Sequence, residues 1–206
     1  MSQPGSSPSI QSLERADLAR LKEFTDREIG AGYYSSAELE DIFERSRAKG
    51  PHGEDVMCSR ILKDGDEILG VRFTFPPGRW NKGKGTGLNV SKWPHDLDRT
   101  GYFQSLFLSD KVQGQGWGAK LSLASIESLK DIGARGVVCH SWKESPNNSS
   151  TKYLEKMGFE RVAEHPLYWK DVDYCCTRCL KPPCQCTAIE MYYEIPSAKA
   201  QGRSSL

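Results

Sequence analysis

The chain has 206 residues, 37% of them hydrophobic and 27% charged, and 28 Lys and Arg against 27 Asp and Glu give a formal net charge of +1. That length and composition suit one ordinary globular domain with a sizeable core and leave a second full domain cramped. A near-zero net charge supplies no overall field toward nucleic acid or an anionic membrane, so neither is an expected partner. The start, Met1 to Pro8, lacks the basic and apolar regions of a signal peptide, and no apolar run approaches transmembrane length, so the expected location is cytoplasmic.

In chain order, Met1–Ser9 and Ser197–Leu206 are Ser, Gly, Pro and Ala-rich and read as disordered tails around one domain spanning residues 10–196. Ile10–Leu13 predicts a first strand. Leu18, Leu21 and Phe24, then Leu39, Ile42 and Phe43, recur at helical spacing and predict two amphipathic helices framing an acceptor site. Val56–Leu62 and Glu67–Phe75 predict an antiparallel pair, because the Asp64-Gly65 step between them favours a tight hairpin turn. Pro76–Thr100 is long for a connection. Its Arg79, Lys84 and Trp93 fit either a binding wall for an anionic amine or a plain solvated loop.

Tyr102–Gly118 carries the clearest functional signal. An apolar run ending Leu106-Phe107-Leu108 leads through a short polar loop into Gln113-Gly-Gln-Gly-Trp-Gly118, which reads as a strand, an anion-binding turn and a helix start. A P-loop would need Lys-Ser/Thr at its end, and Ala119 precedes Lys120 instead. A dinucleotide turn would sit directly at the strand end with an acidic residue roughly 20 positions on, and neither condition is met. The helix then runs through Leu121, Ala124, Leu129 and Ile132 to a cap at Gly133, and Gly136–Trp142 predicts the next strand.

Gln113, Gly116 and Gly118 form Gln-x-x-Gly-x-Gly, which resembles the acyl-CoA motif of the GNAT N-acetyltransferase superfamily. Asn147, Ser150, Tyr153, Gly158 and Phe159 resemble its later signature, with Leu154 at the place of the family's frequent tyrosine. The resemblance covers residues 101–163 well. It implies an α+β fold, a central mostly antiparallel mixed sheet flanked by helices, and direct acetyl transfer from acetyl-CoA to a small-molecule or peptide amine. The alternative is a non-catalytic acyl-CoA-binding or partner-binding module on the same fold.

The resemblance assigns cofactor contacts to Leu106 and Leu108, whose backbone would hold the pantetheine arm. It gives the pyrophosphate to Gln113, Gly114, Gln115, Gly116, Trp117 and Gly118, and hydrogen bonds to the pantetheine to Asn147 and Ser150 on the next helix; Trp117 reads as packing within that turn. For the base, relatives place a glutamate where Tyr102 stands. His140 and Glu144 are the nearby candidates, each also readable as a packed or a solvated residue, and Tyr153 is the candidate acid, also readable as packing.

Five of the seven cysteines fall between Cys175 and Cys186. Cys176, Cys179, Cys184 and Cys186 make Cys-x-x-Cys-x4-Cys-x-Cys, close enough for a tetrahedral structural zinc. In a reducing cytosol a metal is favoured over disulfides, and a reduced surface loop is the plain alternative. The segment 171–187 therefore reads as a Cys-rich insertion before the last strand, Ile189–Ile195.

Overall fold

The computed structural model describes residues 7–80, 87–172 and 176–197. Amphipathic spacing places the first two helices as expected: α1 (Leu18–Glu28) buries Leu21, Phe24 and Thr25, and α2 (Ser36–Arg45) buries Leu39, Ile42 and Phe43. A capping box starts α2, where Ser35 Oγ accepts from Glu38 N and the Glu38 carboxylate accepts from Ser35 N. The strands are β1 (Ser9–Ser12), β2 (Arg47–Lys49), β3 (Asp55–Met57), β4 (Arg60–Asp64), β5 (Glu67–Phe75), β6 (Thr100–Leu108), β7 (Gly136–Trp142), β8 (Glu160–His165) and β9 (Ala188–Glu194). Between them lie α3 (Trp117–Asp131) and α4 (Ser149–Lys156).

Seven strands form one sheet in the order β1-β4-β5-β6-β7-β9-β8, and β2 and β3 make a separate hairpin. Every neighbouring pair in the large sheet is antiparallel except β6 and β7, which run parallel and are joined through α3. Side-chain alternation divides the core. Val71, Phe73, Phe75, Val138 and Tyr192 pack with Leu21, Phe24, Leu39 and Ile42 on one face. Phe103, Val137, Cys139, Ile189 and Met191 pack with Ile126, Leu129 and Leu154 on the other.

The predicted strand Val56–Leu62 divides in two. Cys58 and Ser59 interrupt it: Cys58 N donates to Ser46 O at 2.9 Å, and Ser59 Oγ meets Ser46 Oγ at 2.7 Å while accepting from Thr74 N at 2.9 Å. Both residues are fully buried, so these side-chain bonds replace a strand ladder and turn β3 onto β2. The hairpin turn between β4 and β5 forms where expected, with Gly65 at φ 58°. Ser9 joins β1 rather than the tail. Residues 1–6 and 198–206 of the expected tails, the 81–86 part of the long connection with Lys84, and Cys175 lie outside the described residues.

Candidate active site

The sheet forks between its two parallel strands. β6 pairs with β7 only from Thr100↔Gly136 to Phe103↔Cys139, while β7 continues on β9 as far as Trp142↔Ala188. A bulge at Gln104 marks the departure, since Phe73 faces Ser105 and Thr74 faces Phe103. Ser109 N donates to Leu69 O on the β5 side at 2.9 Å. Strand alternation therefore turns the N–H groups of Leu106 and Leu108 away from β5, toward the open side of the fork.

The start of α3 lies beside that edge. Gly114 and Gly116 adopt φ of 74° and 80°, a left-handed backbone that glycine reaches without strain, and a Cβ on either would meet nothing within 4 Å. Gly118 is buried for a different reason: its Cβ would stand 3.1 Å from Leu106 Cδ2, so a side chain there would crowd the Leu106 side chain between α3 and β6. Gln113 Nε2 donates to Leu108 O at 3.2 Å and to Asp110 Oδ1 at 2.7 Å, tying the turn to the strand end. Gln115 Nε2 donates to Lys111 O at 3.0 Å. Trp117 packs against Leu62, Leu69, Val112 and Leu121, with Lys120 Nζ 4.2 Å from its ring centroid. The amides of the helix's first turn have no acceptor within the helix and point outward beside the open glycines.

Beneath this turn the Tyr153 hydroxyl contacts Ser122 Oγ, accepts from Arg72 Nη2 at 3.0 Å and lies 3.3 Å from Gly118 O. Arg72, on β5, also donates from Nε to Ser122 Oγ at 2.9 Å and stacks its guanidinium 4.2 Å from the Phe103 ring centroid. Asn147 and Asn148 both take positive φ, 54° and 53°, just before α4. Asn147 is exposed, whereas Asn148 Oδ1 is buried without a partner. Ser150 N donates to Ser145 Oγ at 3.1 Å.

On the opposite face, at the base of the fork, Tyr102 and His140 meet. His140 Nε2 is 2.9 Å from Gly87 O, which can only accept, so Nε2 carries the proton and Nδ1 accepts from the Tyr102 hydroxyl at 3.2 Å. Burial drives the His140 pKa down to about 4, against smaller opposing effects of the Gly87 carbonyl and Glu190. Burial likewise holds the Tyr102 phenol protonated, well above its usual range. Tyr168 hydrogen-bonds Tyr102 and stacks on His140 with ring centroids 4.4 Å apart, while Trp80 stacks on Tyr102 at 5.1 Å. Glu144 is elsewhere: its carboxylate accepts from Thr187 N at 3.0 and 3.2 Å.

Sequence reasoning missed Glu190. It is fully buried and accepts from Asn89 N, Asn89 Nδ2, Trp93 Nε1 at 2.7 Å and His165 Nε2 at 2.9 Å. Burial alone would raise its pKa, but these donors, Asn89 foremost, outweigh it and hold the carboxyl below its ordinary value. A charge directly after Ile189, at the start of the largely apolar run Ile189–Ile195, was the available signal. Tyr33 and Tyr34, in the α1–α2 connection, were also missed. Tyr34 lies 3.4 Å from Ser105 Oγ, and Tyr33 meets the Phe107 ring edge-on at 6.1 Å, beside the open strand edge. Gln104 Oε1, at the bulge, is buried with no hydrogen-bond partner.

The cysteine cluster forms as expected from its spacing. The Sγ atoms of Cys176, Cys179, Cys184 and Cys186 all lie within 4.8 Å of one another, with separations of 3.7, 4.0 and 3.7 Å, and the thiols are unbridged. Tetrahedral zinc with bonds of about 2.3 Å requires sulfurs about 3.8 Å apart. Amides also point at the sulfurs: Gln185 N donates to Cys179 Sγ at 3.3 Å. Burial tends to raise the Cys176 pKa, but the amides of Cys179 and Arg178 outweigh it and bring the thiol down to about 7. The donor set fits a thiophilic divalent ion.

A seven-stranded mixed sheet forked between parallel strands, with a glycine-rich helix start at the fork, defines the acetyltransferase fold class. The Acetyltransferase (GNAT) family profile matches residues 27–159, and the chain belongs to that family. Solved structures share the fold at low identity. The ribosomal-protein-S18-alanine N-acetyltransferase from Escherichia coli is similar with a TM-score of 0.63 and 15% identity, over 97% of this chain and 99% of that one. Arabidopsis thaliana NAA60 in complex with acetyl-CoA is similar with a TM-score of 0.62 and 17% identity, over 92% and 99%. Arabidopsis thaliana Naa50 in complex with the bisubstrate analogue CoA-Ac-MVNAL follows at 0.58 and 14%, over 91% and 98%. No curated protein matches the chain significantly. The expected family and fold are thus borne out.

Proposed function

We propose that the protein is an acetyl-CoA-dependent N-acetyltransferase acting on a primary amine of a small molecule or a peptide. The observation that carries this reading is the fork: a strand edge with outward amides at Leu106 and Leu108 beside a helix start opened by two left-handed glycines. The pantetheine arm lies along that edge, and the pyrophosphate takes the amides from Gln113 to Gly118, Trp117 contributing packing and backbone only. Open space at Gly114 and Gly116 and the unpartnered Asn148 Oδ1 suit a ligand there. Asn147 and Ser150 belong to the same wall.

The amine reaches the thioester from the face that carries Tyr33, Tyr34 and Gln104. Its nitrogen attacks the carbonyl carbon, the C–S bond breaks, and the amide and coenzyme A thiolate form. An ammonium near the usual lysine pKa of about 10.4 has no lone pair, so one proton must leave before attack and another as the amide forms. His140, neutral down to about pH 4 and engaged on both nitrogens, is a weak base. We assign His140 and Tyr102 to shaping the acceptor side, Glu144 to fixing Thr187, Tyr153 to holding the start of α3, and the protons to solvent. Gln104 Oε1 accepts an N–H of the acceptor. In the cytoplasm, the cysteine set holds a structural zinc ion.

Thiol release from acetyl-CoA by the purified protein, measured across a panel of amines and N-terminal peptides, tests the reading. Amine-dependent release supports it. Tight coenzyme A binding with no release from any acceptor would replace it with a cofactor-binding module.

A further inference from the structure

The cysteine cluster and the acceptor-side cluster are joined by two adjacent residues of the β8–β9 connection. Tyr168 N donates to Cys186 O at 3.2 Å, which fastens its backbone to the last cysteine. Trp169 packs on Cys176, Cys184 and Cys186, and meets Tyr168 edge-on at 5.0 Å. From that anchored position the Tyr168 ring reaches His140 at 4.4 Å with an interplanar angle of 23°, and its hydroxyl engages Tyr102. His140 is the first β7 residue past the last pairing with β6, so Tyr168 stands at the base of the fork.

We propose that a zinc ion bound by Cys176, Cys179, Cys184 and Cys186 works as a strut that holds Tyr168 against His140 and Tyr102 and so sets the acceptor side of the site. The connection of 22 residues between His165 and Ala188 contains no strand or helix among its described residues, so hydrogen-bond ladders do not fix it. Four metal–thiolate bonds would supply that rigidity. Trp142, on β7, also abuts the cluster, and its buried Nε1–H is directed at Cys186, where a metal-bound thiolate would accept it. The ion takes no part in acetyl transfer. Tyr168 is a positioning residue. The inference rests on the zinc and acetyltransferase readings above, and its test separates the three.

Metal content of the purified protein should be one zinc per chain, and cobalt(II) in its place should give the intense visible absorption of a tetrahedral thiolate site. No bound metal, or iron with sulfide, would overturn the zinc site. Reversible chelation followed by zinc return would then be read by NMR of the His140 ring, which feels the ring current of Tyr168. The strut predicts a His140 shift on zinc removal, matched by Tyr168→Ala with zinc still bound, and reversal on zinc return. An unchanged His140 signal in the zinc-free, still folded protein would sink the strut even if amines are acetylated. With a turned-over amine, zinc removal and Tyr168→Ala should each raise acceptor KM about tenfold while coenzyme A affinity stays unchanged. Tyr168→Phe, which keeps the stacked ring, should restore most of that loss. A folded chain that shows the His140 shift but acetylates nothing would leave the strut standing and remove the enzyme reading alone.

Discussion

The Arg72 guanidinium, on a residue 4% exposed, donates to the Tyr153 hydroxyl at 3.0 Å. No ion pair is formed by Arg72 among the described residues, so its buried charge rests on Tyr153, Ser122 and the face of Phe103. Tyr153→Phe removes one of these and leaves a donor unmet, at a cost of about 1–3 kcal/mol. Ser122→Ala should couple to it, because both oxygens serve one guanidinium and the effects will not add. Denaturant titration of the two single variants and the double variant measures the coupling. Additive losses would show that the hydroxyls act separately.

Gly116→Val asks what the open glycine faces. At φ 80° the valine strains the backbone by roughly 1–3 kcal/mol, yet a Cβ there meets no protein atom within 4 Å. Coenzyme A affinity by calorimetry should fall at least about tenfold in a folded variant. Unchanged affinity would remove the phosphate from this turn. Gly118→Val should instead act through the protein, by crowding the Leu106 side chain between α3 and β6, and lower the melting temperature as well.

Acid should weaken the fold through His140. Its folded pKa, about 4, lies below the ordinary histidine value of about 6.5, so between these values the unfolded chain binds a proton that the native imidazole refuses. The stability contribution is complete above about pH 6.5 and is lost as pH falls toward 4, on the order of 3 kcal/mol in all. Facing groups are Tyr102, His165, Tyr168 and Glu190. Unfolding free energies of wild type and His140→Gln across that range test this, and the variant should flatten the slope. For the same reason the pH profile of turnover should show no His140 inflection between pH 5 and 8.

Glu190 fastens the connection that follows residue 86 to the sheet. Glu190→Ala abandons the Asn89, Trp93 and His165 donors together, and removing one side of so buried a set costs about 3–5 kcal/mol. Hydrogen exchange should rise first at residues 87–93. A rise spread evenly over the sheet would mean that the carboxylate serves global packing rather than this attachment.

The strand, the Gln113–Gly118 turn and the helix after it were legible because glycine positions and apolar spacing are local signals. So were the cysteines, whose spacing alone brings four sulfurs together. The β2–β3 hairpin escaped because two three-residue strands carry no periodicity, and because Ser59 interrupts the neighbouring run through bonds to Ser46 and Thr74, residues distant in sequence. His140 could be named as a candidate, but its neutral state depends on Gly87, 53 residues away, and on Tyr102, 38 residues away. Tyr34 and Tyr168 belong to the site only through tertiary contacts that nothing adjacent to them announces.

The fork is built from main chain, and this decides which experiments can see it. Exchanging Leu106 or Leu108 for another residue alters packing against Gly118 and leaves the outward amides in place. A conventional side-chain scan would therefore pass over the strand edge as tolerant. Only a chemical edit of the backbone, such as an amide-to-ester replacement introduced by semisynthesis, deletes a single N–H there. The same logic lets chains only 15% identical to this one share its architecture, because hydrogen-bonding geometry in the main chain can persist while the letters along it are rewritten.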